Sequence, residues 1–239
     1  MIKDIKVIGA GRVGSAVQAR LAERGVESRD GAGLVLICVP DAAIAKVAQE
    51  IEPGPWVAHV SGGTPLSSLD PHTRRFGVHP LQTFTRARGP EQLDCAWAAV
   101  TGETEESRAR GFELAEILGL RPFQLDEEDR AIYHAGAAIA SNYLVTLHRA
   151  ASELLEAAGA PPEALEPLMR RTIENDFELT GPISRGDWET VERHLETIRA
   201  RRPQLEPLYR VLADATQLLS EGQSLGPGRT GPVQGTVSA

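Results

Sequence analysis

Cysteine is nearly absent from this sequence, with two in 239 residues, and no apolar run approaches the roughly 20 residues that a membrane-spanning helix needs. The first shortage excludes a disulfide-stapled scaffold, and Cys38, inside the apolar run Leu34 to Val39, reads as a reduced, packed thiol. The second excludes a helical membrane protein. Ligand spacings such as H-x-x-x-H and C-x-x-C are missing as well, so no metal site is expected. Basic residues are outnumbered, 25 Lys plus Arg against 33 Asp plus Glu, and the net charge of -8 argues against a phosphate backbone as partner. The first strand-like run, Ile5 to Ile8, begins almost at Met1 and leaves no room for a signal peptide, so a cytoplasmic location is expected. What is present, 41% hydrophobic and 24% charged residues, suffices for a sizeable core in a soluble chain.

Strands and helices alternate through the first half. Ile5 to Ile8 precedes a helix over about Arg12 to Arg24, and Leu34 to Val39 reads as a buried strand ended by Pro40, with Asp41 placed to cap a helix from Ala42. Trp56 to Val60, Gly77 to His79, Cys95 to Val100 and Pro122 to Leu125 follow as strands, with a helix over about Glu105 to Leu118. The pattern predicts an α/β fold with a Rossmann-like parallel sheet, followed by an all-α domain. In that domain, Glu127 to Ala158 reads as one long helix with Ile132, Ile139, Tyr143 and Leu147 on its apolar face. Expected boundaries are 1–125 for the sheet domain, 126–221 for the helical domain and 222–239 for a disordered tail rich in Gly, Pro, Ser and Thr.

Five segments carry candidate chemistry. Gly9-Ala10-Gly11-Arg12-Val13-Gly14 follows a strand and opens a helix: Gly9 for the tight turn, Gly11 for backbone approach to a pyrophosphate, Gly14 for close helix packing. His59-Val60-Ser61-Gly62-Gly63 ends a strand and lacks the glycine that a hydrolase elbow needs before its serine. It reads either as a hydrogen-bonding loop near a nicotinamide or as a plain turn. His79, in Gly77-Val78-His79-Pro80, sits at a strand end as a donor to a substrate carbonyl or as a structural histidine. On the long helix, His134, Ala138, Ser141 and Asn142 recur at helical spacing as a cleft wall. Arg185 has no structural duty in its turn and suits either an anionic ligand or a carboxylate.

Taken together, GAGRVG, HVSG, GVHPLQTF, YHAGAAIASNYLVTL and LTGPISRGD resemble a bacterial family with a Rossmann-like domain followed by a helical domain of unknown function. That family is similar to the deazaflavin-dependent NADP reductases and pyrroline-5-carboxylate reductases, with a C-terminal domain like that of 6-phosphogluconate dehydrogenase. The resemblance implies NADP (or NAD) binding and reduction of a small carbonyl or imine substrate. Relatives carry a catalytic lysine four residues before an asparagine on the long helix, where this chain has Ala138 and Asn142. His79 or His134 would have to replace it. The stretch between Gly25 and Leu34 is also too short for the family's second strand, helix and third strand, so Leu34 to Val39 matches the later V-P-D strand.

The candidate catalytic residues are thus His79, Asn142 and His134, with His79 and Asn142 facing one cleft between the domains beside Ser61. Gly9, Gly11, Arg12, Val13, Gly14, Pro40, Ser61 and Gly62 are the candidate cofactor contacts. Binding of the dinucleotide is expected to be weak, with little discrimination between NAD and NADP. A homodimer through the helical domain is expected, as is the alternative that the protein is a non-catalytic binding or assembly module with a degenerate cofactor site.

Overall fold

The computed structural model describes residues 2–222, so the expected tail falls almost wholly outside the described residues. The chain divides into two compact units, Met1–Ser141 and Asn142–Ala239. The division falls later than the change from strand to helix near residue 125. Glu127 accepts the Leu66 N–H at 2.8 Å and Arg130 donates to the Ser61 carbonyl at 2.6 Å, which ties this stretch to the first unit.

The first unit is a Rossmann-like α/β sheet of six strands in the order β1 (Ile5–Ile8), β2 (Leu34–Ile37), β3 (Trp56–His59), β4 (Arg75–Pro80), β5 (Trp97–Thr101) and β6 (Arg121–Gln124). Strands β1 to β4 are parallel and β5–β6 is parallel, but β5 runs antiparallel to β4. The sheet is thus mostly parallel, as expected, and the one reversal arises because residues 81–96 contain no crossover α-helix, only the 3-10 turn Pro90–Leu93, and a chain without a crossover returns in the opposite direction. Helices α1 (Arg12–Glu23), α2 (Asp41–Gln49) and α3 (Glu105–Ile117) cover the sheet. Alternate residues of β2 and β3 feed two cores: Leu34, Leu36 and Ala58 pack with Val17, Leu21 and Leu114, while Ile37 and Val57 pack with Ile44 and Ala48. This two-faced burial explains why these strands read as continuous apolar runs.

Three local expectations are corrected. Asp41 is the first residue of α2 rather than its cap, which is Pro40, and its carboxylate turns instead to Ser61. Cys95 lies outside β5, exposed and with φ of 57°, because the chain must turn there before pairing begins. The long helix is interrupted: α4 (Arg130–Ala138) and α5 (Leu144–Ala158) flank a π-turn at Ile139–Tyr143. A π-turn holds an extra residue, so the spacing that put His134 and Asn142 on one face does not run through it.

The second unit contains α5, α6 (Leu165–Glu174), α7 (Trp188–Arg201) and α8 (Glu206–Ser220). Val191, Leu195 and Ile198 form a buried stripe on α7, and Asp187 caps that helix by accepting the Thr190 N–H at 3.1 Å. The stripe predicted for the long helix is not buried in the single chain: Ile132, Ile139, Tyr143 and Leu147 are exposed. Among the described residues, no helix is long and apolar enough to cross a membrane.

Candidate functional site

The glycine loop has the geometry its sequence predicts. Gly9 has φ of 115°, and a Cβ there would meet the Cys38 carbonyl oxygen at 2.3 Å. A Cβ on Gly14 would meet the Gly9 oxygen at 2.1 Å. Around Gly11 nothing lies within 4 Å of an added Cβ, and α1 begins on this residue with no side chain capping its N–H groups. An open backbone beside an uncapped helix N-terminus fits a phosphate group. Arg12 is exposed next to it, whereas Val13 packs on the core and so serves the fold. Pro40 is exposed at the head of α2.

Ser61 is buried and its hydroxyl is committed locally. It lies 2.9 Å from Asp41 Oδ2, to which it donates, and 2.9 Å from Thr64 Oγ1, and it accepts from the Thr64 N–H at 3.0 Å. This network shapes the loop after β3. The next two residues meet histidines: a Cβ on Gly62 would stand 2.8 Å from His79 Cε1 and 2.9 Å from His134 Cδ2, and one on Gly63 would stand 2.9 Å from His134 Nδ1. Two glycines therefore admit two imidazoles against the backbone.

His79 and His134 are brought together, with ring centroids 6.0 Å apart and planes nearly perpendicular. Tyr133 completes the group, its hydroxyl 2.8 Å from His79 Nδ1. Burial, then the neighbouring His134 and Arg130, push His79 down to about 4, against a small opposing pull from Asp41, so the ring is neutral at physiological pH. Burial pushes the Tyr133 hydroxyl up to about 12. Beneath them His59 is fully buried and held down to about 3 by burial, Arg130 and His79. The Ser61 N–H donates to His59 Nδ1 at 3.2 Å, which leaves the ring proton on Nε2, an atom with no hydrogen-bond partner among the described residues. Arg130 is buried too, and a Cβ on Gly77 would lie 3.0 Å from its Nη1, so Gly77 makes room for the guanidinium.

Asn142 belongs to the second unit, where it is exposed. Arg185 is exposed and forms no ion pair within 4 Å among the described residues. Sequence reasoning missed Arg130 and Tyr133, although with His134 they stand at i, i+3 and i+4 of one helix, the spacing of a shared face. Cys38 lies under the glycine loop with its thiol pushed up to about 12 by burial, an inert packing group.

A domain of unknown function, DUF2520, matches residues 96–216, just over half of the chain. The chain belongs to the DUF2520 family. Solved structures share the fold of this DUF2520 protein. A Bacteroides fragilis protein provisionally named an NADP oxidoreductase is 23% identical, aligned over 91% of this chain and 99% of its own, with a TM-score of 0.75. A Thermotoga maritima protein is 23% identical over 91% and 98%, with a TM-score of 0.74. A reductive aminase from Aspergillus terreus, solved with NADPH and ethyl levulinate, is 13% identical over 95% and 97%, with a TM-score of 0.63. No curated protein matches the sequence. At these identities the likeness is one of fold.

Proposed function

We propose that this DUF2520 protein is a cytoplasmic, NADP- or NAD-dependent oxidoreductase acting on a small carbonyl or imine compound. Its finer kinship to deazaflavin-dependent NADP reductases and pyrroline-5-carboxylate reductases is part of that reading. The observation that carries it is the cluster of His79, Tyr133 and His134 on Gly62–Gly63, in the same unit and at the same carboxyl ends of parallel strands as the Gly9–Gly14 loop. Gly9, Gly11, Arg12 and Gly14 would hold the pyrophosphate, and the loop after β3 would face the nicotinamide. When bound, that cofactor supplies the reducing equivalent. The chain's own contribution is electrophilic: Tyr133, kept protonated, donates to His79 Nδ1, so the neutral ring carries its proton on Nε2 and polarises the substrate C=O or C=N bond. His134 stands exposed beside that ring.

Thermal unfolding with NADPH, NADP, NADH and NAD tests this. A bound nucleotide at 100 times its dissociation constant stabilises by about 2.7 kcal/mol, a readily measured shift. With a panel of small ketones and cyclic imines, His79→Gln is expected to keep that shift and to lower turnover by about 100-fold. No response to any of the four nucleotides favours the second reading, a ligand-binding or assembly module, which Ala138 at the usual lysine position supports.

The same proposal includes a homodimer through the helical unit. Leu144 and Val145 on α5, Leu168 and Ile173 on α6, and Val211 and Leu219 on α8 are exposed, more apolar surface than a monomer usually leaves to water. Light scattering is expected to return twice the chain mass at micromolar concentration, and the chain mass itself would refute the dimer.

A further inference from the structure

In a complete doubly wound fold, the adenosine half of a dinucleotide lies over strands beyond β1. A residue about 20 positions after the glycine loop binds its ribose. Here β1 is the edge of the sheet. Beyond it runs only the connection 24–33, turned tightly at Gly25 and Gly31, both with φ in the left-handed region. Among the described residues its one β-bridge joins Asp4 to Glu27, with the Ile5 N–H donating to the Glu27 carbonyl at 2.9 Å, and at its far end the Gly33 carbonyl accepts the Trp56 N–H at 2.9 Å. One bridge is what remains of a strand.

The charges on this edge are spent on one another. Asp4 holds the Arg29 guanidinium, accepting from its Nε at 2.9 Å, and also accepts the Gly33 N–H at 2.8 Å. Arg29 lies 3.6 Å from Glu27, and Asp30 pairs with Lys6 at 2.8 Å. Glu27, Arg29 and Asp30 are the charged side chains of this connection that could read a ribose hydroxyl or a 2′-phosphate, and each has a partner from the protein. The other half of the site is intact. Gly11 stands open at the head of α1, and the loop after β3 and His79 lie two and three strand spacings away, about 10 and 14 Å.

We propose that this chain recognises its cofactor through the nicotinamide mononucleotide half alone, the phosphate on the Gly9–Gly14 loop and the nicotinamide at the ends of β3 and β4, with the adenosine half left in solvent. The proposal rests on the oxidoreductase reading and narrows it: reduced nicotinamide mononucleotide is a ligand in its own right.

Calorimetric titration of the full-length protein with NADPH, NADH and reduced nicotinamide mononucleotide tests it. The three dissociation constants are expected to agree within about tenfold. The double variant Lys6→Ala/Arg29→Ala is expected to leave all three unchanged, whereas Arg12→Ala weakens all three in parallel. NADPH binding roughly 100-fold tighter than the mononucleotide, or rejection of NADH, overturns this proposal while leaving the oxidoreductase reading standing. A loss of NADPH affinity in the double variant alone does the same. Absence of binding by all three overturns both.

Discussion

Gly14→Ala is expected to destabilise the protein by about 3 kcal/mol, the upper range for overpacking, and to lower its melting temperature by roughly 6–12 °C. The new methyl would fall 2.1 Å from the Gly9 carbonyl oxygen and 3.2 Å from Cys38 Cβ. Relief by retreat of the Gly9 backbone is blocked, because Gly9 is itself pressed against the Cys38 carbonyl. Helix α1 must therefore lift from the sheet, which also displaces its N-terminus from any phosphate. Gly11→Ala is the control: with open space around its Cβ it is expected to change stability by less than about 0.5 kcal/mol while still weakening nucleotide binding. Circular dichroism melting of the two variants checks both statements, and a wild-type melting point for Gly14→Ala would contradict the packing argument.

Acid is expected to destabilise this protein already at pH values above those at which its carboxylates titrate. His59 and His79 have folded values of about 3 and about 4, against an ordinary value of 6.5. Below pH 6.5 the unfolded chain binds protons on these two rings that the folded chain refuses, so stability is full above 6.5 and falls as pH drops toward 4. The slope is about 1.4 kcal/mol per pH unit per ring, and His79 alone accounts for roughly 3 kcal/mol across that interval. Burial is what makes protonation of both rings costly; Arg130 adds to it at both, His79 at His59 and His134 at His79, while Asp41 opposes it at His79. Asp4, Asp30 and Glu103 have lowered values, so their contributions begin to disappear only below the ordinary values of 3.8 and 4.5 and leave most of this window untouched. Urea unfolding at pH 7.5 and 4.5 measures the effect. A midpoint independent of pH would refute it, and His79→Gln is expected to reduce the slope by about half.

Much of the first unit was legible because its signals are local. The glycines of the loop after β1 answer to contacts within a few residues and to one neighbouring strand, and the apolar runs of β2 and β3 reflect burial on both faces. Caps are as local but were read less well: Asp41 does not cap α2, while Thr104 and Ser107 form a reciprocal box at the head of α3 and Asp187 caps α7. The shortened connection after α1 was countable in residues, and set against the pattern of the resembled family the count implied the loss of strands beyond β1. Side-chain partnerships were less legible. That Asp41 leaves its helix to bind Ser61, that Arg130 crosses to the Ser61 carbonyl, and that His79 and His134 meet over Gly62 each join positions 20 to 70 residues apart. No periodicity encodes such encounters. The reversal of β5, the π-turn at Ile139–Tyr143 and the exposure of the long-helix stripe belong with them. The sequence by itself determined which segments are strand or helix and where a phosphate can approach, because hydrophobic spacing and glycine sterics act over a few residues. Tertiary structure decided which polar groups share a site and which apolar faces stay uncovered, because those outcomes depend on packing between elements distant along the chain.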